Sequence, residues 1–426
     1  MVGVETFGRR DFLLRAAWPF MLLGAFSTPM LVFRIGGVTV SDISFIIGGV
    51  LVLLSSGRPK LNAQPLVILA AVLGLIAILL ASFSAVNISE SVAVGVRLLY
   101  VWTLWQYTIR VVGQEPTKLT TFALVYALGS AASGLAAIAQ TTVGLDIPNS
   151  QVVFGRVGGL ATHVNGQGGA LAAGAAIAFG LFLMRYRRPL TFTALVLSVV
   201  GIVLAGSVTG MLGAAIGILS VMIARGVRPQ TFFWLIAAGG IAWLVGSRVQ
   251  ALIPGVADPL ERLKQATGNS GVYGDVGTLT LRILTDRFAW GRIKENPLTG
   301  YGLDSASGYT YDGATATHNM LLLVWFQGGI LLLVAVLLIL FTAVRRALAK
   351  SNRITTNGLV AIGAFAAAFA CAMTAPVLFD RFFWLPIVLS LALPVPPDEA
   401  RSVRGAVARP AGTAGPRDSL PAPNLL

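Results

Sequence analysis

A series of long apolar segments constrains this chain more than any other feature of its sequence. A helix needs roughly 20 mostly apolar residues to cross the hydrocarbon core of a bilayer, because its backbone polar groups can bond only to one another there. Of the 426 residues, 56% are hydrophobic and 11% are charged, which excludes an ordinary soluble globular domain. We predict an all-α polytopic membrane protein with about 12 transmembrane helices, near residues 12–33, 35–56, 64–83, 91–112, 119–140, 166–184, 190–206, 208–224, 231–246, 319–343, 358–378 and 382–395.

The formal net charge of +14 raises the question of nucleic-acid binding. If the N-terminus lies in the cytoplasm, the predicted cytoplasmic segments hold 20 of the 31 lysines and arginines and six of the 17 acidic residues. The cytoplasmic side then carries the whole net positive charge of the chain, in keeping with the general preference for Lys and Arg in cytoplasmic loops. We therefore expect a multi-pass chain with both termini in the cytoplasm and no nucleic-acid partner.

The predicted spans divide the chain unequally. One outer segment is much longer than a simple connection between helices, and such loops usually carry function. The C-terminal residues are rich in Pro, Ala, Gly and Arg, which predicts a disordered cytoplasmic tail. The predicted organisation is residues 1–246 for helices one to nine, 247–317 for the long loop, 318–395 for helices ten to twelve and 396–426 for the tail.

The long loop contains an amphipathic pattern. Leu281, Leu284 and Phe288 recur at helical spacing and predict a helix over about residues 278–295, lying near the membrane surface and ending before Pro297. The arginines of this helix are candidate anion ligands: Arg282, Arg287 and Arg292.

Alternatives remain open for two of the cations. Arg282 could pair with Asp286 at the i+4 position instead of binding a ligand. Arg97 lies inside the fourth predicted span, where a charge faces a cavity or partner, or reaches back to the interface.

The chain has two histidines, His163 and His318, and both lie on the outer side near the ends of predicted spans. A histidine in such a place is more often an interfacial hydrogen-bonding residue than a catalyst. Arg156 and Asn165 lie near His163 in the outer loop 141–165. The outer segments lack an Asp-x-Asp pair and a His/Cys/carboxylate cluster, so no metal site and no cofactor are predicted.

Several motifs occur together near the tenth span. The stretch Asn296-Pro297-Leu298-Thr299-Gly300-Tyr301-Gly302 is followed by His318-Asn319 and by Gly328-Gly329 inside that span. In this arrangement the chain resembles the O-antigen ligase and polymerase superfamily. The resemblance extends to the dozen spans, the long outer loop before the tenth, Arg282 and Trp290 ahead of the Asn-Pro turn, and Arg156 through Asn165. One departure is Gly206-Ser207-Val208, where many members carry Gly-Ser-Arg.

The resemblance implies a GT-C-like integral glycosyltransferase of the bacterial inner membrane. Such an enzyme transfers a glycan from an undecaprenyl-diphosphate carrier, on the outer face, to a sugar hydroxyl of a polysaccharide chain or of lipid A core. It implies His318 as the base, Arg156 and Arg282 as the leading diphosphate ligands, and Arg97, Arg287 and Arg292 as weaker ones. The further residues of the site are His163, Asn165 and Asn319. Direct attack opposite the diphosphate would invert the anomeric centre.

The main alternative is a secondary transporter with about twelve spans. Its binding site would lie near the bilayer midplane, on broken helices or between repeats. The two halves of the sequence show no repeat, and the conspicuous polar residues cluster in the outer loops, so we favour the enzyme. Polymerase and ligase differ in their acceptor, and the missing Gly-Ser-Arg arginine slightly favours a polymerase.

Overall fold

The computed structural model describes residues 8–35, 37–55, 64–153, 155–227, 230 and 278–395. Over these residues the chain is mostly helical, with two short hairpins at one end. The helices in the first half are α1 (Arg9–Ser27), α2 (Val40–Ser55), α3 (Pro65–Phe83), α4 (Ile88–Tyr100), α5 (Gln106–Val112), α6 (Pro116–Thr142), α7 (Val164–Leu183), α8 (Arg188–Leu204) and α9 (Val208–Arg225). A π-helical turn, Val101–Trp105, joins α4 to α5.

The second half continues with α10 (Thr278–Glu295), a 3-10 turn (Ala306–Gly308), α11 (Met320–Leu348), α12 (Lys350–Arg353), α13 (Thr356–Ala372) and α14 (Arg381–Ala392). Each hairpin is a pair of two-residue antiparallel strands. Their bounds are β1 (Arg34–Ile35) with β2 (Val38–Thr39), and β3 (Val152–Val153) with β4 (Arg156–Val157).

A helix covers most of each predicted span that falls within the described residues. Among the described residues, five helices are long and apolar enough to cross a membrane, namely α3, α6, α7, α9 and α11. Four others, α2, α8, α13 and α14, are apolar but shorter. A multi-pass helical membrane protein is therefore supported, while the number of twelve crossings stays a prediction. The predicted span 231–246, the first part of the long loop and the tail 396–426 lie outside the described residues.

The core of the bundle contains aromatic side chains from several helices. Trp102 and Trp105, from the π-helical turn, are buried with Trp384 of α14. The ring centroids of Trp102 and Trp384 are 5.5 Å apart, and those of Phe45 and Trp105 are 4.2 Å apart. These contacts hold α2, the turn after α4 and α14 together.

Small residues let α6, α7, α8 and α9 approach one another closely. A Cβ atom added to Gly210 would lie 2.7 Å from the Cα of Gly168, and one added to Gly201 would lie 2.8 Å from the Cα of Gly134. Glycines at such crossings are typical of membrane helices, whose association depends on backbone approach and not on burying apolar surface from water. The loop before α7 and the hairpin 205–207 before α9 therefore end up side by side.

The segments predicted on the outer side meet at one end of the bundle, which we call the outer end. The N–H of Val32 donates to the carbonyl of Leu160 at 3.1 Å, linking the first loop to the loop before α7. The N–H of Leu303 donates to Ser91 Oγ at 3.0 Å, linking the long loop to α4. This clustering agrees with helices that alternate in direction as predicted.

The opposite end of the bundle is joined in the same way. Thr120 Oγ1 donates to Asn357 Oδ1 at 2.7 Å, connecting α6 to α13. Arg346, near the end of α11, donates to the carbonyls of Leu391 and Leu393 at 2.6 and 2.9 Å. The buried guanidinium thereby holds the C-terminal end of α14 against α11.

The helix predicted in the long loop forms as α10, and its predicted place near the membrane surface stays a prediction. Leu284, assigned to the apolar face, is 38% exposed, whereas Thr285, Ala289 and Ile293 are buried. Ala289 and Ile293 pack against Phe326 of α11, and the small side chains at 285 and 289 allow the close approach. Hydrophobic spacing alone does not distinguish a face that contacts protein from one that faces outward.

Candidate functional site

The turn formed by residues 296–302 docks into a break in α11. Gly329 has φ +70° and ψ −176°, which interrupts the helix. The freed carbonyl of Gln327 accepts hydrogen bonds from the N–H groups of Tyr301 at 3.1 Å and Gly302 at 2.9 Å. The N–H of Ile330 donates to the carbonyl of Pro297 at 3.0 Å. The Asn-Pro turn and the Gly-Gly pair are thus two halves of one joint, in which each satisfies the other's backbone groups.

Side chains close this joint. Asn296 Nδ2 donates to the carbonyl of Gly300 at 2.7 Å, and Thr299 Oγ1 donates to Asn296 Oδ1 at 2.8 Å. Trp325 Nε1, on α11, donates to the carbonyl of Pro297 at 3.0 Å. Because the turn follows α10 directly, the joint fixes α10 against α11 and brings Arg282 near the start of α11.

His318 lies immediately before α11, whose first turn is capped by Asn319. The side chain of Asn319 accepts the N–H of Leu322 at 3.1 Å. The Nδ1 atom of His318 is buried and has no hydrogen-bond partner in the described residues. Burial and the positive charge of Arg282 lower the pKa of His318 to about 4, although the Ala316 carbonyl favours protonation. The ring is therefore neutral at pH 7 in this state.

Asp286 is a carboxylate that the sequence presented only as a partner for Arg282. Burial raises its pKa, while the backbone N–H groups of Asn319 and His318 and the charge of Arg282 act in the opposite direction. Asp286 therefore lies next to the backbone that carries the candidate base. Its position one helical turn after Arg282 was the available signal in the sequence.

The loop before α7 contributes Arg156 at the start of β4. This side chain is only 7% exposed. Its Nε donates to the carbonyl of Ala205 at 2.8 Å and its Nη2 donates to Asn165 Oδ1 at 2.9 Å. The side chain also lies over Gly206, where an added Cβ would be 3.2 Å from Nε. The guanidinium of Arg156 therefore lies beside the turn 205–207 between α8 and α9, where many members of the family resembled carry the arginine of Gly-Ser-Arg. Arg156 itself belongs to the loop before α7.

His163 is the N-cap of α7. Its Nδ1 accepts the N–H of Asn165 at 3.0 Å, and its side chain remains exposed on one side. The surrounding protein and the charge of Arg156 lower its pKa. His163 also lies near enough to His318 to lower the pKa of that ring.

Six of the predicted residues thus come together from three parts of the chain, and three do not join them. The group comprises Arg156, His163, Asn165, Arg282, His318 and Asn319, and we call it the outer cluster. Arg292 bonds Glu295 Oε2 at 2.5 Å and lies 4.3 Å from the centroid of the Tyr301 ring. Arg287 is exposed on α10. The guanidinium of Arg97 lies against Gly37 and lines a small cavity with Arg381. The roles predicted for these three arginines stay predictions.

The described residues contain no group of three or more His, Cys, Asp or Glu side chains that could hold a metal ion. The cationic side chains of the outer cluster are Arg156 and Arg282, and the carboxylate of Asp286 lies beside the cluster, near Arg282.

A known protein family matches a segment of the chain that contains part of the candidate site. Residues 193–337 match the family model described as O-Antigen ligase. The matched residues include α9, α10, the Asn-Pro turn, His318 and the Gly-Gly break in α11. Arg156, His163 and Asn165 precede the matched residues, so their place in the cluster is known from the structure alone. A search of curated proteins found no match to the chain.

Proposed function

We propose that this chain is a bacterial inner-membrane glycosyltransferase of the O-antigen ligase and polymerase superfamily, acting on the outer face. The match of residues 193–337 to the O-Antigen ligase family model supports this proposal. Its donor is a glycan linked to undecaprenyl diphosphate, and its acceptor is a sugar hydroxyl. The observation that carries this proposal is the meeting of two arginines and a neutral histidine at one end of the bundle. The family match does not support the transporter, and the cluster lies at an end of the helices.

Arg156 and Arg282 are the proposed ligands of the diphosphate. A planar guanidinium binds phosphate oxygens through two parallel hydrogen bonds, which fixes the orientation of the leaving group without a metal ion. Negative charge grows on the diphosphate as the glycosidic bond breaks. Cations held in place and partly shielded from water therefore stabilise the transition state more than the bound substrate.

His318 is the proposed general base. The acceptor hydroxyl attacks the anomeric carbon from the side opposite the diphosphate, and its proton passes to the imidazole, while the bond to the phosphate oxygen breaks with its electron pair. In the unliganded state burial, and after it the charge of Arg282, hold the pKa of His318 down. A bound diphosphate offsets the charge of Arg282, so donor binding should remove that part of the shift and raise the pKa of the base.

The test is transfer by the purified full-length protein in detergent. Undecaprenyl-diphosphate oligosaccharide would be supplied with a chelator, with and without lipid A core, and the lipid-linked products would be separated by size. A ladder of longer lipid-linked glycans identifies a polymerase, and movement of glycan onto lipid A core identifies a ligase. The proposal fails if the wild type transfers glycan to neither acceptor, or if His318→Ala is as active as the wild type.

A further inference from the structure

The two histidines of the outer cluster differ in how their nitrogens are engaged. Nδ1 of His163 accepts the backbone N–H of Asn165 at 3.0 Å. A neutral imidazole has one donor and one acceptor nitrogen, so the proton of neutral His163 is on Nε2. The backbone thus fixes the tautomer, and His163 can offer only an N–H to a ligand. His318, by contrast, has no hydrogen-bond partner for its Nδ1 in the part of the chain that the structure describes.

His163 is held beside the cation that faces the diphosphate in the proposed function. Arg156 Nη2 donates to Asn165 Oδ1 at 2.9 Å, and the same asparagine donates its N–H to His163. The guanidinium and the imidazole are therefore positioned by one residue. The N–H of Asn165 occupies the nitrogen that would take a second proton, and burial and the positive charge of Arg156 lower the pKa of His163, so the ring is kept neutral.

We propose that His163, through its Nε2–H, donates a hydrogen bond to a phosphate oxygen of the donor lipid. The bond strengthens as negative charge develops on the leaving diphosphate. This inference rests on the proposed glycosyl transfer. In the reaction the bond from the anomeric carbon to the phosphate oxygen breaks, the acceptor oxygen forms the new bond, and His318 takes the acceptor proton. His163 keeps its proton throughout, as a neutral donor that completes the anion site formed by Arg156 and Arg282.

A neutral donor adds something that a third arginine would not. Hydrogen bonds from fixed, uncharged groups stabilise charge that develops in the transition state, without binding the ground-state anion so tightly that release becomes slow. Loss of one such donor typically lowers kcat by about 10²–10³-fold. The effect should appear mainly in kcat, with a smaller change in the KM for the donor lipid.

Two substitutions at position 163 separate this role from the capping role that the structure also shows. An asparagine is a good N-cap, so His163→Asn keeps the bond to the N–H of Asn165 but cannot reach as far as Nε2. A glutamine is a poor N-cap, but its amide nitrogen extends about as far as Nε2 and donates there. Helix capping and ligand binding therefore predict opposite rankings of the two variants.

The experiment measures glycan transfer and thermal unfolding for the wild type, His163→Asn and His163→Gln in detergent. We expect His163→Gln to stay within about tenfold of the wild-type kcat and His163→Asn to lose about 100-fold or more, with His163→Asn the more heat-stable of the two. Higher activity in His163→Asn than in His163→Gln, or equal activity in both, would overturn the inference. An inactive wild type would instead overturn the proposed function.

Discussion

At the scale of single residues, the neighbours of each side chain decide its role. His163 and His318 are indistinguishable by their place in the sequence, since each precedes a predicted span. The structure gives Nδ1 of His163 a backbone partner, whereas the buried Nδ1 of His318 has no hydrogen-bond partner among the residues described. Arg282 and Arg292 lie on the same helix, yet only Arg292 is engaged by Glu295 and Tyr301.

The lowered pKa of His318 predicts how stability depends on pH. In the unfolded chain the ring titrates near its ordinary pKa of about 6.5, and in the folded protein at about 4. Between these values the unfolded state binds more protons, so stability falls as the pH drops from 6.5 toward 4. His318→Gln should reduce this loss, as measured by thermal unfolding in detergent from pH 7.5 to 4.5. An unchanged pH slope in the variant would show that His318 titrates normally.

Arg282 should not tolerate lysine. A lysine keeps the positive charge but loses the planar fork that would bind two phosphate oxygens. We expect Arg282→Lys to lower transfer by about 100-fold, the size typical for loss of a preorganised donor. Arg353→Lys, an exposed residue at the opposite end of the bundle, serves as the control and should match the wild type. Near wild-type transfer by Arg282→Lys would mean that only charge is needed at this position.

At the scale of elements, the joint between the Asn-Pro turn and α11 places the outer cluster. The break at Gly329 frees the Gln327 carbonyl and the Ile330 N–H for the turn, and aromatic contacts between Phe288 and Phe326 add to the docking. Damage to this joint should therefore affect both stability and activity.

Gly329→Ala tests the joint. An alanine there is strained by φ +70°, and its Cβ would collide with the carbonyl of Leu298. We expect a loss of about 1–3 kcal/mol in stability, in the range of strained backbone positions, together with a large loss of transfer. The control is Gly291→Ala in α10, where a Cβ meets nothing within 4 Å and alanine should be neutral or stabilising. If Gly329→Ala and Gly291→Ala had equal stability and equal transfer, the docking of the Asn-Pro turn at Gly329 would not be what positions the site.

At the scale of the whole molecule, a buried ion pair at the outer end joins the first and last parts of the bundle. Arg381, at the start of α14, bonds both carboxylate oxygens of Asp42, in the first turn of α2, at 2.9 and 3.0 Å. The two side chains are 12% and 5% exposed. This contact joins residues far apart in the chain and holds the start of α14 against the start of α2.

Breaking this pair from one side should be costly, because it leaves a buried charge uncompensated. We expect Arg381→Met alone to destabilise the protein by about 3–5 kcal/mol, and Asp42→Leu combined with Arg381→Met to recover much of that loss. A double-mutant cycle from unfolding in detergent measures the difference. Additive effects of the two single substitutions would show that the pair contributes no coupling.

The prediction that successive helices cross the membrane in opposite directions can be tested in cells. Tyr311 is exposed at the outer end and Arg353 is exposed at the opposite end, while the native Cys371 is buried and should not react. A membrane-impermeant maleimide should label Tyr311→Cys in intact spheroplasts, and label Arg353→Cys only after the membrane is opened. The reverse pattern would invert the proposed orientation, and labelling of both would contradict alternation between these two sites.

The sequence by itself determined the class of fold and the approximate position of the helices, because the length and polarity of a spanning helix are local properties of the chain. It also marked candidate residues of the site, since the Asn-Pro turn, His318 and the Gly-Gly pair occur in one short stretch. Only the tertiary structure decided that Arg156 is held by Asn165 and the Ala205 carbonyl, that α10 buries Ala289 and not Leu284, and that Asp42 pairs with Arg381. These contacts join residues far apart in the chain, and they depend on which helix faces meet when the bundle packs. Hydrophobic spacing cannot tell those faces from the faces turned toward lipid.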